Sequence, residues 1–261
     1  ISELARSSKI DLLLLSYNNR WILKYENDVV SGEHYLLTKV LKQNLADIQQ
    51  PILFDVGANV GNYSLLLSQE FPQAQIYAFE PNENTYQQLT AKVGHAVKCI
   101  NVGMGNEDKL DKIYTYADKL VAGHASMYED VLRTARRKKD LVELEFQMTT
   151  LDFFCERESI PRIDFLKIDT EGNEFEVLKG AESLLTEAKI KIIQFEFGEC
   201  DVFSRVFLKD FYAMLTEYNI YRLDSNRLIP LFEYSINNEI FHYQNFIAVR
   251  KDFPFKEEQR A

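Results

Sequence analysis

Short unbroken apolar runs alternate along this chain with stretches of helical spacing, and little separates one pattern from the next. Ile52 to Phe54 follows Pro51 and stops at Asp55 and Gly57, as a buried strand does. From Gly61 the spacing turns helical, with Tyr63, Leu65, Leu66 and Leu67 placed to pack, until Pro72. Ile76 to Phe79 predicts a second strand ending at Glu80, Glu83 to Val93 a helix, and Val97 to Val102 a third strand ending at Gly103-Met104-Gly105. Lys112 to Tyr116 reads as a strand. Val142, Leu144, Phe146 and Met148 alternate with polar residues, as in a half-buried strand, and Thr150 can cap a helix from Leu151. Ile163 to Ile168 and Ile190 to Phe197 are further central strands, with Phe175, Leu178, Ala181 and Leu185 on one helical face between them. Phe207 to Tyr218 is amphipathic. The tail predicts strands around Tyr221 to Leu223, Leu228 to Phe232 and Glu239 to Val249.

Strands that alternate with helices in this way build a doubly wound α/β sheet. Ahead of it, Glu3 to Leu15 predicts a short helix with Leu4, Ile10, Leu13 and Leu14 available to pack. Trp21 to Tyr25 reads as a strand, and Ser31-Gly32-Glu33 opens a helix carrying Tyr35, Leu36, Leu37, Val40 and Leu41. The expected organisation is an N-terminal helical and strand extension over residues 1–50, packed on a domain spanning 51–261, with a lid-like insertion around 117–140.

In open α/β sheets, ligands sit beyond the carboxyl ends of the strands, and an acid about 20 residues after the first turn can grip a ribose. Glu80 stands there, able to accept from two vicinal hydroxyls. Gly57 and Gly61 let the backbone approach a ligand that a Cβ would block. A nicotinamide fingerprint needs G-x-G-x-x-G, and this turn lacks the third glycine. Asp55 inside the turn would repel a pyrophosphate, but suits a ligand with a cation and an amino group. S-adenosylmethionine offers both, along with a ribose whose hydroxyls are free. The expected cofactor contacts are Asp55, Gly57, Asn59, Gly61 and Glu80, with Gly103 facing the adenine.

Three segments carry a resemblance: DVGANVG from Asp55, FEP from Phe79 to Pro81, and FLKIDTEGNEFEVLKGA from Phe165 to Ala181. They resemble the FkbM-type methyltransferases, a group within the class I S-adenosylmethionine-dependent enzymes, over roughly Ser31 to Arg250. The run His242 to Ala248 is similar to that family's terminal strand, and Glu33 matches a glutamate at the start of its N-terminal helix. The resemblance implies a Rossmann-like, mostly parallel seven-stranded sheet with an antiparallel C-terminal strand. It also implies O-methylation of a hydroxyl on a sugar, polyketide or other secondary metabolite, presented as a small molecule or on a carrier.

Methyl transfer needs orientation and, for a hydroxyl nucleophile, a base. Asp169 and Glu171 after the fourth central strand, Glu196 near the end of the next, and His124 in the lid are the candidates. Asp169, Glu171 and Glu196 would also suit magnesium, but their spacing does not show that they converge, and no metal site is expected. The residues Asp169-Thr170-Glu171-Gly172 do not form the N/D-P-P-Y/F motif of adenine and glutamine N-methyltransferases. Two other readings stay open: a non-catalytic domain that binds the cofactor or a partner, and a nucleotide-dependent oxidoreductase.

A formal net charge of -10 over 261 residues argues against a nucleic-acid partner, which requires a basic surface. The basic run Arg133 to Lys139 reads first as a solvated helix face, and otherwise as a patch for an acidic substrate or carrier. Cys99, Cys155 and Cys200 are widely spaced and contain no C-x-x-C pair, which points to a reducing cytoplasm. No apolar run approaches membrane-spanning length.

Overall fold

Among the described residues eleven strands form: β1 (Ile52–Val56), β2 (Gln75–Phe79), β3 (Lys98–Ile100), β4 (Gly103–Met104), β5 (Lys109–Tyr116), β6 (Leu141–Thr149), β7 (Ile163–Ile168), β8 (Ile190–Phe197), β9 (Tyr218–Asp224), β10 (Arg227–Pro230) and β11 (Gln244–Arg250). The structure is a computed structural model that describes residues 11–116, 125–135, 137 and 140–256. Eight strands make one sheet in the order β10-β9-β11-β8-β7-β1-β2-β3. Within it β3, β2, β1, β7 and β8 run parallel, and β11 runs antiparallel to both β8 and β9. The seven-stranded arrangement implied by the family resemblance is therefore present, and β10 adds an eighth strand at its edge by pairing antiparallel with β9.

The helices that frame the sheet are α1 (Leu12–Asn19), α2 (Glu33–Tyr35, continuing through a π-wound Leu36–Leu41 into Lys42–Leu45), α3 (Asn62–Glu70), α4 (Glu83–Val93), α5 (Leu151–Arg157), α6 (Glu174–Lys179), α7 (Glu182–Thr186), α8 (Cys200–Ser204) and α9 (Leu208–Met214), with shorter turns such as Asp28–Ser31 between them. Strand side chains alternate between the two faces, so each central strand feeds two cores. Leu53, Phe165 and Ile192 pack with Leu37, Leu41 and Leu67 on the face covered by α2, α3 and α4. Phe54, Leu166 and Ile193 pack with Phe154, Val177 and Phe211 beneath α5, α6 and α9. Each such side chain, fully buried, contributes roughly 1.5–3 kcal/mol, which fixes the strand tips that carry the polar groups. Residues 33–45 thus lie directly on the sheet.

Strand order reverses at β1: the chain moves outward to β2 and β3 on one side and to β7 and β8 on the other. The carboxyl ends of β1 and β7 therefore border a topological switch point, where a crevice opens. Beside it, β4, β6 and β5 form a second, three-stranded sheet, with β5 and β6 antiparallel.

Several expectations are corrected. Residues 21–25 form no strand: Trp21 (φ 58°) and Leu23 (φ 64°) adopt left-handed backbone, which a strand cannot accommodate. Leu13 and Leu14 of α1 are exposed rather than packed. The third strand covers Lys98–Ile100 rather than Val97 to Val102, and Gly103 and Met104 form a separate strand, β4, paired with β6. The face from Phe175 to Leu185 belongs to two short helices, separated at Gly180 and Ala181.

Candidate active site

At the switch point, Gly57 has φ +79°, and a Cβ there would come within 1.8 Å of the Asp169 carbonyl oxygen. Only glycine lets the tips of β1 and β7 approach this closely. Asp169 N donates to Val56 O at 3.0 Å, and Gly57 N donates to Phe79 O at 3.0 Å, so three neighbouring strand ends are laced together. The turn continues to Asn59, whose backbone N donates to Glu80 Oε2 at 3.0 Å, while Asn82 N donates to Glu80 Oε1 at 2.9 Å. Each Glu80 oxygen keeps a lone pair for a further donor. Burial pushes the Glu80 carboxyl up to about 7; the two backbone N–H groups oppose that rise, and Asp55 and Asp169 add to it.

A cleft of about 700 Å³ opens over these tips. Gly57, Asn59 and Glu80 line one part of it, and Asp169, Glu171 and Glu196 another. Glu33, Tyr25 and Tyr243 border both this cleft and a second compartment of about 580 Å³ that reaches Lys167. A small apolar slot between Phe79, Val102, Met104, Met127 and Phe146 adjoins the cleft at Gly57, Pro81 and Thr170.

The structure thus brings together six of the residues singled out in the sequence: Gly57, Asn59, Glu80, Asp169, Glu171 and Glu196. Asp55 and Gly61 stand apart, while Gly103 lines the adjoining slot. Asp55 is fully buried, accepts from Ser64 Oγ at 2.5 Å and lies 3.5 Å from Lys167 Nζ, so it braces α3 and β7 from below rather than lining the cleft. Gly61 starts α3 and faces Leu89. Gly103 borders the apolar slot, where a Cβ would meet the Phe146 ring at 2.3 Å. His124 lies outside the described residues, as do 117–123, 136, 138 and 139 of the expected lid. Arg133 in the basic run pairs with Glu129 on an exposed face.

The carboxylates differ in their surroundings. Lys167 Nζ lies 3.0 Å from Asp169 Oδ2. Burial alone would drive this ammonium towards neutrality, but Asp169, Asp55 and Glu33 together hold it charged with its pKa raised. Glu174 accepts from Thr170 N at 2.7 Å and Gly172 N at 2.9 Å, clasping the loop after β7 from inside. That loop includes Glu171 in left-handed backbone (φ 55°), its carbonyl accepting from Ser126 Oγ at 2.8 Å and its Oε2 facing Cys200 Sγ at 3.3 Å. Glu196 has a strongly raised pKa: burial dominates, and Asp169, Glu171, Glu174 and Glu199 add to it. A carboxylate of this kind readily takes a proton.

Sequence reading passed over Lys167, Glu174, Gln194, Tyr243 and Asn245. A signal for two of them was present: Lys167 and Gln194 are polar residues in the middle of strands whose apolar runs predict burial. A polar group in such a strand persists only with a partner. His242 also lines the cleft, edge-on to Tyr17 at 5.1 Å between ring centroids.

The sequence profile of the methyltransferase FkbM domain matches residues 55–223, which include every carboxylate just described except Glu33. This chain belongs to the FkbM methyltransferase family. Among curated relatives of this FkbM-family chain, methyltransferase sdnD of Sordaria araneosa is 29% identical over 51% of the chain and 61% of its own length. The hexuronic acid methyltransferase AglP of Haloferax volcanii is 26% identical over 64% of each protein. The 31-O-demethyl-FK506 methyltransferase FkbM of Streptomyces tacrolimicus is 29% identical over 50% of the chain and 59% of its own length. The chain spans about three fifths of the length of these relatives. Among the described residues, no group of three or more His, Cys, Asp or Glu is placed to hold a metal ion. None of the described helices is long and apolar enough to cross a membrane.

Proposed function

We propose that this FkbM-family chain binds S-adenosylmethionine in the cleft and transfers its methyl group to a hydroxyl of a sugar, polyketide or other secondary metabolite, free or carrier-bound. The observation that carries the reading is the pairing of Glu80 with the turn after β1: a buried carboxylate with a lone pair left on each oxygen, beside a bend that only glycine can make. Glu80 would accept from the ribose hydroxyls, Gly57 and Asn59 would leave room for the chain beyond the ribose, and the slot beside Phe79 and Met104 suits a flat apolar ring such as adenine. Glu33 and Asp169 face the space where an ammonium would sit. The name of the 31-O-demethyl-FK506 methyltransferase supports an oxygen acceptor, and that of the hexuronic acid methyltransferase a sugar-type substrate.

The bound cofactor supplies a methyl group already activated by a sulfonium. The protein then provides orientation and a place for the proton. Glu196 takes the proton released by the acceptor hydroxyl as its oxygen bonds the methyl carbon and the carbon–sulfur bond breaks. Asp169 is tied to Lys167 Nζ, which suits it to orienting the cofactor rather than to accepting the proton. Three free thiols fit a reducing cytoplasm.

Calorimetry with S-adenosylhomocysteine and NAD, followed by transfer of labelled methyl to a panel of hydroxylated metabolites and carrier-bound acyl chains, tests this. Binding of S-adenosylhomocysteine with turnover is the expected result. Binding of NAD alone would overturn the cofactor assignment, and tight binding without transfer to any acceptor would leave a non-catalytic domain.

A further inference from the structure

Gln194 sits in the middle of β8 between Ile193 and Phe195 and is 1% exposed. Every polar position of its amide is used. Tyr63 Oη donates to Gln194 Oε1 at 2.7 Å. Gln194 Nε2 donates to Glu33 Oε1 at 3.0 Å and to Asn245 Oδ1 at 3.2 Å. Asn245 Nδ2 in turn donates to the Tyr243 hydroxyl oxygen at 2.8 Å. Four segments distant in sequence meet through these two amides.

The chain of bonds has a direction. The Glu33 carboxylate only accepts, so the nitrogen of Gln194 must face it, and the Gln194 oxygen is then left for Tyr63. The second Gln194 N–H fixes the Asn245 oxygen, and Asn245 can only offer its nitrogen to Tyr243. Tyr243 is therefore an acceptor on its buried side. Its own O–H proton finds no acceptor among the described residues, and its ring borders both the cleft and the second compartment. Tyr25 holds the ring edge-on, at 5.8 Å between centroids.

That compartment is otherwise rich in carboxylates. Lys167 reaches it, but Asp55 and Asp169 already neutralise the ammonium. A ligand with its ribose on Glu80 and lying along Gly57 and Asn59 would extend an amino-acid tail into this space, because the two cavities share Gly57 and Asn59. An ammonium there meets Glu33 and Asp169. A carboxylate there needs a donor, and the Tyr243 hydroxyl presents one.

We infer that Tyr243 grips the carboxylate of the cofactor's amino-acid tail, and that Gln194 and Asn245 act as positioning residues that turn its hydroxyl towards it. The inference rests on the S-adenosylmethionine reading and goes beyond it by assigning one end of the ligand to one oxygen.

The test compares S-adenosylhomocysteine with methylthioadenosine, which keeps adenine, ribose and sulfur but lacks the amino-acid tail. Tyr243→Phe should weaken S-adenosylhomocysteine roughly tenfold or more, as loss of a hydrogen bond to a charged group does, and leave methylthioadenosine within about twofold. Asn245→Leu, checked for an unchanged unfolding transition, should show the same selective loss to a smaller degree. Equal weakening of both nucleosides by Tyr243→Phe, or no weakening of either, would overturn the assignment. So would a wild-type protein that binds the two with equal affinity. A wild-type protein that binds neither would instead bring down the cofactor reading itself.

Discussion

The ammonium of Lys167 stands 3.0 Å from the carboxylate of Asp169, two residues along the same chain at the end of β7. The same nitrogen lies 3.5 Å from Asp55 in β1, so one buried cation ties two adjacent strand tips together. It is also 4.8 Å from the centre of the Tyr63 ring. Replacing it strands a carboxylate that has no access to water. Lys167→Met should destabilise the fold by about 3–5 kcal/mol, the usual consequence of breaking a buried ion pair from one side. Urea unfolding measures this, and a loss below about 1 kcal/mol would show that Asp55 and Asp169 do not depend on the cation.

Gly57→Ala should cost more than an ordinary surface glycine substitution. The residue must hold φ +79°, and its new methyl would lie 1.8 Å from a backbone oxygen that cannot rotate away. The left-handed backbone alone costs about 1–2 kcal/mol for a residue with a side chain. We expect a lower unfolding midpoint together with loss of S-adenosylhomocysteine binding, because the strand tips must part. Retained affinity would mean that the close approach of β1 and β7 is not required by the ligand.

Stability and binding should respond to pH in opposite directions through Glu80. Its carboxyl ionises at about 7 in the folded chain instead of near 4.5. Between those values the folded state holds a proton that the unfolded chain has released, so this contribution is full below about 4.5 and declines as pH rises through 7. The upper size is ~3 kcal/mol. Ligand hydroxyls need the ionised form as acceptor, so affinity for S-adenosylhomocysteine should rise from pH 6 to 8 by up to about tenfold. Glu80→Gln should flatten its share of both profiles; Glu174, also raised to about 7, keeps the remainder. Stability and calorimetric titrations at three pH values check the two slopes, and parallel slopes would contradict the assignment.

Glu196→Gln should reduce kcat by about 10²–10⁴-fold, the range for loss of a general base, with cofactor affinity nearly unchanged. The wild-type rate should rise with pH as the raised Glu196 carboxyl ionises, and the variant should lack that limb. A variant with normal kcat would move the base elsewhere in the cleft.

Much of the architecture could be read locally. Glu83–Val93, Ile163–Ile168 and Ile190–Phe197 have the boundaries that spacing alone predicts, because buried strands and helices are encoded in the period of their own apolar residues. The terminal acids Glu80 and Asp169 were legible for the same reason: a strand that ends abruptly in a carboxylate marks its own tip. Trp21 to Tyr25 shows the limit of this, since an apolar run does not reveal left-handed backbone at two of its residues.

What the sequence determined by itself was therefore the order of the elements, the glycine bend and the set of acids at the strand ends, each a property of residues close together in the chain. Only the tertiary structure decided which acids face the crevice and which are turned inward. Asp55 lies two residues before Gly57 yet is buried against Ser64 and Lys167, while Glu33 reaches the same crevice through Gln194, 161 residues away. Side-chain direction at a strand tip is set by what packs beneath it, and those partners come from other elements; no local pattern carries that information.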